Sequence, residues 1–383
     1  MTPIPRLLSL TLLSVAGWPA GTIHGQDPAS DHYAGELRLE LQIGEDLGAP
    51  EYTFSSIQAV RPAPDGRIFV LDGQEMEVRA YDARGRFIIA FGGFGAGPGE
   101  FTWPVDLLVN SVVTVFDGGQ RRVSRFSLGG EHLETRRLPE LRGLALVQAF
   151  PLQGDVWLGI TSPRFSLGHP THDPYVRVLA VPAGTKRVDT LIALESGGAV
   201  WHPSGRAYPW GVIDSGFGDG GAWAVLGDSL VVVAHGHDGW VRWYHASDSG
   251  LRQVREIRLP GDSRPVTEAD LRALKERVRR EEQDDRGDPI ASTVEIVGSG
   301  RWSIASDAIF SDDGRLWIRG AVPAERLEWT VFGPDGRRLG RQAVPESFRL
   351  HAVRGERLYG VRRTAMEADV VRVYQRVSSP ESP

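Results

Sequence analysis

The chain has 383 residues, a formal net charge of −6, 24% charged and 41% hydrophobic residues, and no cysteine. These values exclude a disulfide framework, a thiolate metal site and a cysteine nucleophile, and the dispersed Lys and Arg form no cluster that would mark a nucleic-acid surface. A single core seldom grows past about 250–300 residues, so the length requires several domains or a repeat whose units each have their own core.

Arg6, the uncharged apolar run Leu7 to Ala16, and the small residues leading to Gly25 read as a secretory signal peptide over residues 1–25. The run is shorter than the roughly 20 residues needed to span a bilayer. Export to the periplasm or the extracellular space is expected, with no lipoprotein cysteine and no transmembrane segment. Residues 26–35 read as a flexible mature start. Glu36 to Ile43 follows as a strand whose Leu37, Leu39, Leu41 and Ile43 alternate with polar residues.

One pattern then recurs: a β-branched or aromatic residue, two intervening residues, and an aromatic or large apolar one. Its six copies are Val78–Tyr81, Val123–Phe126, Val176–Leu179, Val241–Tyr244, Trp329–Phe332 and Val371–Tyr374. Turn signals such as Arg84-Gly85, Ser249-Gly250 and Asp335-Gly336 follow most copies, and hairpin signals such as Asp65-Gly66 and Asp313-Gly314 precede them. Each unit is therefore four antiparallel strands, as in one blade of a β-propeller. The sixth unit lacks its outer strand, because only residues 378–383 remain as a tail. Pairing the strand at 36–43 with that unit satisfies two open edges and closes the ring. The expected fold is an all-β, six-bladed propeller over residues 36–377. One charged segment, residues 266–286, breaks the pattern with Leu271, Leu274 and Val278 at helical spacing, and reads as a helix inserted between blades four and five.

Phe91-Gly-Gly-Phe-Gly-Ala-Gly-Pro-Gly-Glu-Phe101, followed by Pro104, resembles the blade-linking signature of NHL-type propellers. Arg315-Leu-Trp317 after Asp313-Gly314 resembles the second-strand motif of the broader six-bladed group that includes TolB-like propellers. The resemblance covers essentially the whole mature chain and implies the fold. Such propellers serve as binding scaffolds, signalling sensors, lyases and lactonases, so it does not single out an activity. Calcium-dependent lactonases of the gluconolactonase type ring their ion with Asn, Asp and Glu; the single Asn here, Asn110, lies at a turn, which argues against that type.

Three sets of residues are candidates for function. The innermost strands place Gln58, Asp106, Gln148, Asp307 and His351 along the channel, where carboxylates and imidazole can serve as acid, base or ligand. Trp103, Trp201, Trp210, Trp223 and Trp302 lie in or near the segments leading into blades; they either stack on a ligand at the channel mouth or wedge between blades, and Trp210 and Trp223 are taken as mouth residues. His169 and His172 with Asp173, and His235 and His237 with Asp238, lie between the second and third strands of blades three and four, with His202 in the link between them. These histidines can hold a divalent metal or simply populate polar loops. The function expected is an exported, monomeric binding propeller without cofactor, whose partner is a small molecule, a glycan or an envelope protein. The alternative is a metal-dependent hydrolase or lyase using the loop histidines of blades three and four.

Overall fold

A computed structural model describes residues 33–138, 146–153, 156–161, 175–182, 188–203, 211–218, 221–247, 250–281, 291–297, 300–320 and 327–378. The expected leader and the residues after Ser378 lie outside them. Glycines at the tips of hairpins take left-handed backbone, as at Gly66 (φ 89°), Gly85 (φ 77°) and Gly314 (φ 81°), where a side chain would be strained. Each alternating run therefore folds back on its neighbour, and the strands collect into six antiparallel sheets.

From the channel outward, blade one is Ile57–Pro62, Ile68–Asp72, Glu77–Tyr81 and Phe87–Gly92. Blade two is Pro104–Val109, Val112–Asp117, Arg122–Ser127 and His132–Arg137. Blade three is Leu146–Leu152, Val156–Thr161, Tyr175–Pro182 and the first part of Asp189–Pro203. Blade four is Gly221–Leu226, Leu230–His235, Trp240–Ser247 and Gly250–Arg258. Blade five is Asp307–Phe310, Leu316–Arg319, Leu327–Phe332 and Arg338–Val344. Blade six is Phe348–Arg354, Arg357–Arg363, Asp369–Ser378 and, outermost, the N-terminal strand Gly35–Ile43.

Apolar side chains on the two faces of each sheet meet those of its neighbours. Six separate buried clusters result among the described residues, one between each pair of adjacent blades. The cluster uniting blades six and one holds Ile43, Ile57, Val60, Tyr359 and Val371, and closes the ring. This arrangement lets the chain exceed the size of a single core.

The N-terminal strand departs from strict alternation. Its register with Asp369–Ser378 slips between Leu39 and Leu41, a β-bulge at Glu40. Leu37 consequently faces the core between blades five and six, whereas Leu41 and Ile43 face the core between six and one. Leu39 is left exposed.

Two features lie outside the blades. The outer strand of blade three runs on past Glu195 to Pro203, and its second half pairs with Gly211–Gly218 on one side and Ala291–Val297 on the other. The links on either side of blade four thus join in a small sheet. The helix between blades four and five spans Glu268–Glu281 and packs against Ala291–Val297. Its start is a capping box: the Asp270 amide donates to Thr267 Oγ1 at 3.3 Å, and the Thr267 amide donates to Asp270 Oδ2 at 2.8 Å. The Arg264 guanidinium beside Asp270 holds its carboxyl well below the usual carboxylate range. Among the described residues no helix is long and apolar enough to cross a membrane.

Candidate functional site

The inner strands enclose a cavity of about 590 Å³. Its lining follows them from their first residues, including Gln58, Ser306 and Arg349, to the hairpins that end them, at Pro64, Asn110 and Arg354. Such a volume lies in the range that small-ligand sites occupy.

Side chains from four inner strands form a hydrogen-bonded relay along one side of this channel. Trp223 Nε1 donates to Gln148 Oε1 at 3.2 Å, and Gln148 Nε2 donates to Asp106 Oδ2 at 3.4 Å. Arg61 Nη2 donates to Asp106 Oδ1 at 3.0 Å, and its Nη1 reaches the main-chain oxygen of His351 at 2.9 Å. The relay therefore crosses blades four, three, two and one and ends on blade six. Burial raises the Asp106 carboxyl above its ordinary pKa, and the Arg61 guanidinium opposes that rise.

Blades five and six are different. Arg319 lies 3.7 Å from Asp307, too far for a direct hydrogen bond. Among the described residues no side chain hydrogen-bonds the Asp307 carboxylate, the Ala308 amide lies beside it, and burial raises its pKa against the pull of Arg319. Among the described residues the His351 ring has no hydrogen-bond partner. Burial, with the guanidiniums of Arg61 and Arg349 close by, pushes the imidazole down to about 3, so it is neutral at physiological pH. Four of the sequence candidates, Asp106, Gln148, Trp223 and His351, are thus joined through Arg61, the last by its main chain, and Asp307 stands opposite as a polar group with spare capacity. Gln58 lines the cavity but donates to Ser56 Oγ at 3.1 Å, apart from the relay.

The structure separates the histidines. His169 and His172 lie outside the described residues, as does Trp210. His202 and Trp201 lie on the extended outer strand of blade three, paired with Thr293 and Val294. His235 ends the second strand of blade four, and its Nδ1 accepts the amides of His237 (3.3 Å) and Asp238 (3.0 Å). Asp72 in blade one receives the amides two and three residues ahead in the same way, from Gln74 and Glu75, and Asp117 in blade two receives those of Gly119 and Gln120. His235 is therefore the turn-capping acceptor of its blade, and its Nδ1 is committed to the main chain. Replacing it with Ala is expected to lower the unfolding free energy by about 1 kcal/mol, while His235→Asp restores stability to within a few tenths. Urea melts of the three proteins check this; an aspartate variant as weak as the alanine one would contradict it. Among the described residues no group of three His, Asp or Glu side chains gathers in metal-binding geometry.

The remaining tryptophans have separate duties. Trp302 is buried, donates from Nε1 to Asp270 Oδ2 at 3.3 Å and lies under Arg264, tying the start of the helix to the segment that leads into blade five. Trp103 lies over Gly118 and Gly119 with half its surface in solvent.

A family model described as a six-bladed beta-propeller matches residues 50–170. No curated protein matches the chain. Among solved structures, a candidate exported protein from Bacteroides fragilis superposes with a TM-score of 0.50 at 12% identity, covering 92% of this chain and 97% of that one. A gluconolactonase from Xanthomonas campestris gives 0.41 at 11% identity, covering 89% and 99%. A virginiamycin B lyase from Staphylococcus aureus gives 0.42 at 9% identity, covering 89% and 100%. The chain is a six-bladed β-propeller of four-stranded antiparallel blades. At such identities the likeness concerns fold, and function has to be argued from the site.

Proposed function

We propose that this is an exported propeller that binds a small polar solute in its central channel. The leader-like pattern at Arg6 and Leu7 to Ala16 supports export. The reading of the channel as a binding site rests on one observation: polar side chains from every blade face a cavity of about 590 Å³, and those on one side are already fixed by hydrogen bonds. Fixed donors and acceptors lower the entropic cost of holding a ligand.

The test is native mass spectrometry of the mature protein after dialysis against a metabolite extract. A small-molecule adduct is expected on the wild type and is expected to weaken at least tenfold in Asp106→Asn, which unlinks Arg61 from Gln148. A wild type that stays adduct-free, or an adduct indifferent to Asp106→Asn, would remove the channel as the binding site.

A further inference from the structure

The repeat supplies its own control for the wall formed by blade five. In each blade the first inner-strand residue pairs with the last residue, or next to last, of the second strand. In blades one to four those pairs are Ile57 with Asp72, Pro104 with Asp117, Leu146 with Thr161, and Gly221 with His235. One partner is apolar or small and the other caps the following turn or meets a nearby amide; Thr161 Oγ1, for example, accepts the Arg177 amide at 2.8 Å. Blade five has Asp307 opposite Arg319. A guanidinium has no acceptor and cannot cap that turn. Both members of the pair have become charged, and both line the cavity.

The folded state gains little from this pair. At 3.7 Å, with side chains 33% and 41% exposed, it belongs to the class of partly solvated ion pairs whose contribution is small. The arrangement is better suited to an incoming molecule. A carboxylate can dock on the open fork of Arg319, and an ammonium can donate to the unshared oxygen positions of Asp307. A simple anion would meet Asp307 and a simple cation would meet Arg319, so each would carry an unfavourable contact. A neutral polyol would leave both charges facing hydroxyls in a confined site. Only a molecule with opposite charges a few bonds apart satisfies both.

Resting on the channel as the binding site, we infer that its ligand is a small zwitterion of the α-amino-acid type, held with its carboxylate on Arg319 and its ammonium on Asp307. His351, from the adjacent blade, lines the cavity with a neutral ring whose nitrogens have no partner among the described residues. The remaining volume accommodates the ligand's side chain between the relay and the wall of blade five.

Isothermal titration tests the assignment with alanine, leucine, phenylalanine, glutamate and lysine as free amino acids. Propionate and ethylammonium serve as the two half-ligands, and glucose and N-acetylglucosamine as neutral ones. At least one amino acid is expected to bind, with both half-ligands at least tenfold weaker. Asp307→Asn is expected to weaken the amino acid at least tenfold while sparing propionate, and Arg319→Gln to weaken propionate as well. Near-ultraviolet circular dichroism establishes that each variant is folded. Binding of a sugar or of one half-ligand alone, lost in Asp106→Asn, overturns the zwitterion and leaves the channel reading standing. Amino-acid binding unaffected by either variant, or absence of amino-acid binding, also overturns it.

Discussion

Tyr33→Ala is expected to lower the unfolding free energy by about 3–4 kcal/mol, the usual cost of deleting a buried aromatic side chain and a large share of a typical domain's stability. Tyr33 precedes the N-terminal strand and inserts between blades five and six, where it is 8% exposed. Its ring meets Trp317 edge-on with centroids 5.6 Å apart, and the Arg376 guanidinium lies 3.9 Å from its centroid. Arg315 Nη1 donates to its hydroxyl at 3.0 Å, and Arg376 Nη1 donates to its main-chain oxygen at 2.7 Å. Gly340, at φ 150°, makes room for it: a Cβ there would lie 2.8 Å from the Tyr33 Cβ. Tyr33→Phe should cost only about 1 kcal/mol, because it removes one hydrogen bond and keeps the ring. A chain beginning after Gly44 would lose this anchor and expose the edge of Asp369–Ser378, and is expected to self-associate in a concentration-dependent way. Urea melts read the point variants and size-exclusion chromatography reads the truncation. A Tyr33→Ala midpoint equal to that of the wild type, or a truncated chain that stays monomeric and equally stable, would show that ring closure does not depend on this end of the chain.

The blades were legible because each carries a local signal. Alternation in Val78–Tyr81 and its five counterparts, with turn glycines on either side, needs only neighbouring residues to be interpretable. Closure by the first strand followed from the missing edge in the sixth unit. The bulge at Glu40 was not legible, because Leu37, Leu39, Leu41 and Ile43 keep a perfect period of two in sequence while the chain changes face between them. The sheet joining the links around blade four was also hidden. Its Gly198–Pro203 and Ala291–Val297 segments pair across nearly a hundred residues, and no local signal in either announces the other.

The channel was legible as a set of positions and not as a network. Asp106, Gln148, Asp307 and His351 follow from counting along inner strands. Arg61, Arg319 and Arg349 were missed, although Arg61 joins blades one, two and six. The available signal was the repeat register: aligning Asp72, Asp117, Thr161 and His235 with Arg319 and Arg362 exposes two cations at that position, and only the one in blade five faces a carboxylate, Asp307. The same alignment accounts for His235, whose neighbours His237 and Asp238 had suggested a metal site from composition alone.

His351 should make the protein acid-sensitive through a single imidazole. Free in the unfolded chain it titrates near 6.5, whereas in the channel it is pushed down to about 3. Between those values the unfolded chain holds a proton that the folded chain refuses. The stability linked to this group is therefore fully present above about pH 6.5 and is lost as pH falls toward 3. At roughly 1.4 kcal/mol per unit, reduced for the water that the channel admits, going from pH 7 to pH 4.5 should cost about 2 kcal/mol. Asp106 and Asp307 act in the opposite sense, since their raised pKa values favour the folded state as pH falls. The informative quantity is thus the difference between proteins: His351→Gln, which does not titrate, should lose about 2 kcal/mol less than the wild type over that interval. Because the Arg349 guanidinium acts on the ring, Arg349→Gln should recover part of the same difference; it also removes the 3.1 Å hydrogen bond to the buried Asp369, so the comparison is read from the slope of the acid limb and not from the midpoint at pH 7. Identical acid limbs in the wild type and His351→Gln would mean that the imidazole accepts its proton inside the folded channel, and would place water or a counter-charge beside it.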